Sequence, residues 1–156
     1  MVYRICKAFE VESGHMLSKH PERCRFPHGH SRRIEVVVAS ESLDANDMVC
    51  DFAALKLAVR EAVDKFDHAM AINSEDPSLP ILKSTGALGE RLVVFPGKDP
   101  TTEVLARSIY DELTAAVASG RELVAANGRR YSLPRSVVVE RVRVGETSSS
   151  WAEYGR

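Results

Sequence analysis

The stretch Cys24-Arg25-Phe26-Pro27-His28-Gly29-His30 puts two histidines and a cysteine in one short window, and His15 lies a short loop upstream. The run that follows, Arg32-Arg33-Ile34-Glu35-Val36-Val37-Val38, is rich in β-branched residues and reads as a strand. Side chains alternate faces along a strand, so a strand beginning near His28 points His28 and His30 to one side. A third imidazole from a neighbouring strand end completes a three-histidine set. Catalytic zinc sites typically take three protein ligands and leave a position open for water or substrate. Gly29 permits a close approach that a side chain would obstruct. Two alternatives stay open for Cys24: a fourth ligand, or the reactive group beside the metal. The competing reading is that a His-x-His pair arises by chance and that single histidines are usually structural or exposed.

The elements around this window follow from periodicity. Val2 to Glu12 alternates loosely and reads as a first strand, ended or bent by Ser13-Gly14-His15. Met16 to Pro27, with two prolines and several charges, reads as the loop that carries Cys24. The second strand runs from His28 to Ser40. Asp51 is an N-cap candidate for a helix whose stripe is Phe52, Leu55, Val59, Ala62, Val63 and Phe66. Ala71 to Glu90 reads as a long loop with a helical turn around Leu79 to Ser84. Arg91 to Phe95 is a short strand. A second helix starts at Asp99-Pro100, with Asp99 as N-cap and Pro100 at the first helical position, and ends before Gly120. Asn127-Gly128 marks a turn between short extended pieces, and Ser136 to Val144 is the last main strand. The order strand, strand, helix, strand, helix, strand predicts an α+β architecture, an antiparallel sheet with two helices on one face. Its two open edges favour oligomerisation.

Other residues could complete the chemistry. Asp67-His68 at a helix exit can form a proton relay, because histidine titrates near neutral pH; against this, His68 could simply favour the negative end of the helix. Glu146-Thr147 follows the last strand, where a carboxylate can accept two hydrogen bonds from paired N–H donors, although a lone glutamate is more often solvated. Glu103 lies in the first turn of the second helix, where the dipole favours an acid in any case.

The bulk composition narrows the field. A chain of 156 residues, 44% hydrophobic and 28% charged, suits one domain over 1–156 with a real core. A formal net charge of −1 gives no argument for nucleic acid or an anionic membrane. No run approaches a membrane span, and the first residues lack a signal-peptide core, so a cytoplasmic location is expected. Three widely spaced cysteines do not form a disulfide framework. Cys6 and Cys50, set among apolar residues, are expected to be buried thiols.

The pieces Val11-Glu12-Ser13-Gly14-His15, Cys24-x-x-x-His28-Gly29-His30, Met48-Val49-Cys50-Asp51-Phe52-x-x-Leu55-Lys56, Phe66-Asp67-His68, Pro100-Thr101-Thr102-Glu103 and Val142-x-Val144-x-Glu146-Thr147 span nearly the whole chain. In that order they resemble the 6-pyruvoyl-tetrahydropterin synthase family, which includes the bacterial 6-carboxytetrahydropterin synthases. The resemblance implies the tunnelling or T-fold, a four-stranded antiparallel sheet with two helices on one side. It implies trimers whose sheets join into a barrel, two of them stacked as a homohexamer, with active sites between subunits. His15, His28 and His30 would bind Zn2+, Cys24 would be the general base, and Asp67 with His68 the relay. Glu146, helped by Thr147, would anchor a pterin ring, with Glu103 near the substrate. The implied substrate is 7,8-dihydroneopterin triphosphate.

Cysteine three residues before the His-Gly-His motif resembles the 6-carboxytetrahydropterin synthases of 7-deazaguanine and queuosine synthesis, which release acetaldehyde and triphosphate. The pyruvoyl-forming branch usually has a longer gap, and the branch that cleaves dihydroneopterin side chains carries a glutamate where this chain has Arg25. A non-catalytic, zinc-containing pterin-binding protein is the alternative from another class. The chain departs from the family pattern at Val11, at Glu12-Ser13-Gly14, at Ser31 and at Arg32-Arg33. Arg32, Arg33 and Lys19 could meet the triphosphate, although solvated surface charge is the simpler reading for all three.

Overall fold

A computed structural model describes residues 1–86 and 88–156. Ala87, within the stretch read as a loop, lies outside the described residues. The backbone of the fold is a long two-stranded ribbon. Strand β1 (Tyr3–His15) pairs antiparallel with β2 (His28–Ser40) along its whole length, from Tyr3 opposite Ser40 to His15 opposite His28. The first strand therefore runs through Ser13-Gly14 to His15 instead of ending at Glu12. It does so because Gly14 and Gly29 face each other across the ribbon: a Cβ on Gly29 would lie 3.3 Å from the Ser13 carbonyl oxygen. The expected close approach is thus met by a second glycine.

Helix α1 (Phe52–Val63) begins at Asp51, whose side chain accepts from the Ala53 N–H, as expected of an N-cap. It buries Leu55, Ala58, Val59, Ala62 and Val63, while Phe52 at its start is exposed. A 3-10 turn, Asp64–Phe66, carries the chain on to β3 (Ala69–Asn73). Helix α2 (Leu79–Thr85) and β4 (Leu92–Phe95) follow. Helix α3 (Thr102–Ser119) ends at Gly120 in a left-handed conformation. Its N-cap is Thr101 instead of Asp99, so Pro100 precedes the helix. Asp99 is buried and accepts from Ser18 Oγ, the Lys19 N–H and Asn73 Nδ2. A small hairpin of β5 (Leu123–Val124) and β6 (Arg130–Tyr131) flanks the Asn127-Gly128 turn, and β7 (Val138–Gly145) and β8 (Trp151–Gly155) complete the chain.

The main sheet has six strands in the order β4-β3-β1-β2-β7-β8, not the expected four. It is mixed instead of antiparallel: β3 runs parallel to both β1 and β4, and α2 supplies the helical crossover from β3 to β4. The helical turn expected around Leu79 to Ser84 is α2, whereas the start of the stretch expected to be loop belongs to a strand. The Ala69–Asn73 strand is too short and too small-residued for period-two alternation to show. The main core packs α1 and α3 against one sheet face, with Ile34, Val36 and Val38 of β2 and Val139, Val142 and Val144 of β7 meeting Leu105, Ile109 and Leu113. Met16, Ile72 and Leu79 form a second cluster beneath β3. Cys50 is buried, whereas Cys6 is exposed on the ribbon's outer face, and neither is in a disulfide. Among the described residues no helix is long and apolar enough to cross a membrane.

Candidate metal centre

The ribbon end assembles the three histidines. His15 and His28 are cross-strand partners, and His30, two residues on, falls on the same face. The ring centroids form a triangle with sides of 4.5, 5.1 and 5.1 Å. Hydrogen bonds set two of the tautomers. His15 Nδ1 lies 2.8 Å from the Pro100 carbonyl oxygen, and His28 Nδ1 lies 2.8 Å from that of Phe26. A carbonyl oxygen only accepts, so each Nδ1 carries the proton and each Nε2 presents a lone pair. Such outer-shell carbonyls are the usual means of orienting a ligating imidazole. Burial, reinforced by the charge of Arg32, pushes His15 down to about 4, and burial likewise lowers His30. Both rings are therefore neutral near pH 7, the form that binds metal.

Glu146, just beyond β7, joins this set. Its Oε1 lies 3.1 Å from His30 Nε2 and 3.7 Å from His15 Nε2. One donor atom from each of His15, His28, His30 and Glu146 falls within 4.8 Å of all the others. His30 Nε2 is buried and makes no hydrogen bond, even to the oxygen beside it. Lone pairs converging at this distance suit a cation between them, and imidazole with carboxylate is a donor set for zinc and its neighbours. The group could hold a metal ion.

The other Glu146 oxygen is already engaged. Arg32 Nη1 donates to Oε2 at 2.7 Å, and the Thr102 hydroxyl donates to the same oxygen. Burial alone would raise the Glu146 pKa, but these two hydrogen bonds and the charge of Arg32 outweigh it and hold the carboxyl below its usual range. Arg32 is only 1% exposed, so it is not the solvated surface charge expected. Alternation from His28 through His30 carries Arg32 onto the same inward face, ahead of Ile34, and that parity was the available signal. Thr102 carries no charge to mark it in the sequence, unlike its exposed neighbour Glu103.

Asp67 and His68 form a pair anchored on β1. Asp67 Oδ1 accepts from the Glu12 N–H at 2.9 Å, and Oδ2 lies 3.0 Å from His68 Nδ1. The Glu12 hydrogen bond and His68 hold Asp67 below the usual carboxylate range. His68 adopts a φ of 51°, and its N–H donates to the Glu12 carbonyl. The exposed ring lines a cleft of about 430 Å³ with His30, Ser13, Gly29 and Met70. Cys24 sits half-buried in a 3-10 turn, Arg23–Arg25, whose carbonyl accepts from the Leu17 N–H. It lines a different cleft, with His20, Glu22 and Phe26, and is not part of the histidine–glutamate group. Thr147 is exposed in the turn between β7 and β8, its N–H bonded to the Ser150 carbonyl.

Known proteins share this sequence pattern and this fold. The sequence pattern of the 6-pyruvoyl tetrahydropterin synthase family matches residues 4–156. A protein from Aquifex aeolicus named 6-carboxy-5,6,7,8-tetrahydropterin synthase is 31% identical over 170 residues, covering 99% of this chain and 98% of that one. A protein of the same name from Haemophilus influenzae is 23% identical, covering 98% of this chain and 99% of its own. An uncharacterised protein from Wolinella succinogenes has the same fold, with a TM-score of 0.79, 23% identity and coverage of 100% and 99%. So does the 6-pyruvoyl tetrahydropterin synthase of Plasmodium vivax, at 0.66, 16%, and 100% and 98%. A match over nearly all of the chain, together with a curated relative that aligns end to end, places it in the 6-pyruvoyl tetrahydropterin synthase family.

Proposed function

We propose that residues 1–156 act as a single zinc-dependent 6-carboxy-5,6,7,8-tetrahydropterin synthase domain. It would convert 7,8-dihydroneopterin triphosphate and release acetaldehyde and triphosphate. The observation that carries this reading is the convergence of three imidazoles at the ribbon end, in a chain whose curated relatives bear that enzyme name. The three-residue spacing from Cys24 to the His-Gly-His motif supports the same branch.

His15, His28 and His30 would hold the metal. Zinc, when bound, supplies Lewis acidity to the substrate's side-chain hydroxyls. Cys24 takes or returns a proton at the substrate side chain. His68 serves the opposite face: with Nδ1 held by Asp67, its Nε2 is the atom that exchanges a proton. Glu146 accepts from the N–H edge of the pterin through Oε1, the oxygen left free by Arg32 and Thr102. Thr147 would help Glu146 to anchor the ring, and Glu103 would stand near the substrate. The active form is a cytoplasmic homohexamer, a dimer of trimers in which the sheets close into barrels, and it needs no nucleic acid or membrane.

Incubation with 7,8-dihydroneopterin triphosphate and identification of the products tests the reading. Acetaldehyde and a carboxylated tetrahydropterin are expected. Triphosphate released with a pyruvoyl product would assign the sister activity, and unaltered substrate that stays bound would make the chain a binding module.

A further inference from the structure

Asp99 is a buried carboxylate whose hydrogen-bond donors are all neutral. Oδ1 accepts from the Ser18 hydroxyl at 2.8 Å and the Asn73 amide at 2.9 Å, and Oδ2 accepts from the Lys19 backbone N–H at 2.7 Å. The Lys19 ammonium is turned instead to the Gly97 carbonyl, 2.8 Å away. Taking a charge out of water is costly even when hydrogen bonds replace the lost hydration, and an apolar residue would fill a core position without that cost. What distinguishes Asp99 is where its partners lie, because all of them border His15. Ser18 and Lys19 belong to the segment by which the chain leaves His15. Asn73 ends β3, whose Ala71 is the register partner of His15 and accepts from the Met16 N–H. Asp99 itself immediately precedes Pro100, whose carbonyl lies 2.8 Å from His15 Nδ1. The contacts close a ring: along the chain from His15 to Ser18, by hydrogen bond to Asp99, by peptide bond to Pro100, and back to the His15 imidazole. Proline fixes its own φ and restricts the residue before it. The Thr101 N–H also donates to the Asp99 carbonyl at 2.9 Å. Once Asp99 is held, the Pro100 carbonyl therefore has little freedom.

We propose that Asp99 is a positioning residue of the three-histidine centre: it holds the Pro100 carbonyl against His15 Nδ1, so that the ring keeps its proton there and Nε2 is left as the ligating atom. This rests on the metal reading above and goes beyond it. The contrast with His28 shows why such an anchor is needed. His28 bonds to the carbonyl of Phe26, two residues away in the same segment. The carbonyl that serves His15 comes from 85 positions along the chain. A local bond is fixed by its own segment, whereas a distant one needs something to hold the two segments together.

Two readouts on wild type, Asp99→Ala and Asp99→Asn test this, with thermal melts to verify folding. The first needs no metal: long-range proton–nitrogen correlation spectra of the metal-stripped protein report which His15 nitrogen carries the proton. Wild type should show the proton on Nδ1 alone, and Asp99→Ala should show both tautomers in exchange. The second is a titration of metal-stripped protein with Co2+, followed by its visible absorption. Loss of an outer-shell partner typically costs about 10–100-fold in metal affinity, and that weakening is expected in Asp99→Ala, with an altered Co2+ spectrum. Asp99→Asn keeps an oxygen for Ser18 and Asn73 and loses only the bond from the Lys19 N–H, so it should fall between the two. A merely structural role would lower the melting temperature of Asp99→Ala and leave its His15 tautomer and Co2+ binding as in wild type, and that result overturns the proposal. Should Asp99→Ala not fold, Ser18→Ala removes one of the three bonds; weaker Co2+ binding is again expected, and wild-type binding again overturns the proposal. A wild-type chain that takes up no Co2+ overturns the metal reading and this proposal together, whereas variants that bind Co2+ as wild type does overturn the proposal alone.

Discussion

His15 and His28 each give one ring nitrogen to a backbone carbonyl, from Pro100 and from Phe26, and keep the other for a ligand. Cys24 has no such tie to the cluster. The two kinds of residue should therefore separate in mutants. His28→Ala combined with His30→Ala should lose stoichiometric zinc, measured by elemental analysis; zinc retained at one per chain would sink the metal assignment. Cys24→Ala should keep zinc and pterin binding but lose turnover by about 10²–10⁴-fold, the usual contribution of a general acid–base group. A binding module would show no such loss. The histidines were legible in the sequence because a strand's period of two is a strict rule and the window is short. Arg32 obeys the same rule, yet an arginine on an inward face contradicts the expectation that charge lies outside. Only the contacts with Glu146 and Thr102, far away in the chain, explain it.

At the level of elements, the turn before α3 ties the site to the rest of the fold. Asp99 holds the chain after β1 through Ser18 and Lys19, and the end of β3 through Asn73, next to the carbonyl that orients His15. Reading Asp99 as an N-cap identified a polar anchor but not its partners, which come from two other segments. In the same way β3 and β8 leave little trace in the sequence because each is only five residues long, and β3 joins the sheet beside a strand distant in sequence, whereas the β1–β2 ribbon and both long helices announce themselves by local period. Burial alone would raise the Asp99 pKa, but the three hydrogen bonds to its charged form prevail and hold it below its ordinary value of 3.8. A depressed carboxylate stabilises the fold fully above that ordinary value and loses this contribution as pH falls through the folded-state pKa. Asp99→Ala should therefore cost about 2–3 kcal/mol near neutral pH, since hydrogen bonds to a charged group run to about that size. That corresponds to a fall of roughly 5–10 °C in Tm. The gap from wild type should narrow below the ordinary carboxylate range. A gap that stays constant from pH 7 down through that range would show that the carboxylate's charge is not what holds this turn.

For the whole molecule, the separation of the catalytic candidates decides what must be tested. Within one copy, His68 shares a cleft with His30, while Cys24 opens into another. The sheet ends in two short edge strands, β4 and β8, and β8 leaves Trp151 and Tyr154 partly exposed, with Arg143 stacked over the Trp151 ring at 3.9 Å. Unpaired edges of this kind are commonly closed by another copy. If copies join so that the Cys24 turn of one faces the Asp67–His68 pair of the next, two inactive parents should complement each other. Cys24→Ala and His68→Ala chains, unfolded together and refolded as a mixture, should then regain activity. With random assembly each site draws its cysteine and its histidine from different chains, and about one site in four receives both intact, the arithmetic of a heterologous interface. Activity near a quarter of wild type, with masses of mixed six-copy assemblies in native mass spectrometry, is the expected result. If mixed assemblies form but remain inactive, Cys24 and His68 act within one chain, and the site is complete in a single copy.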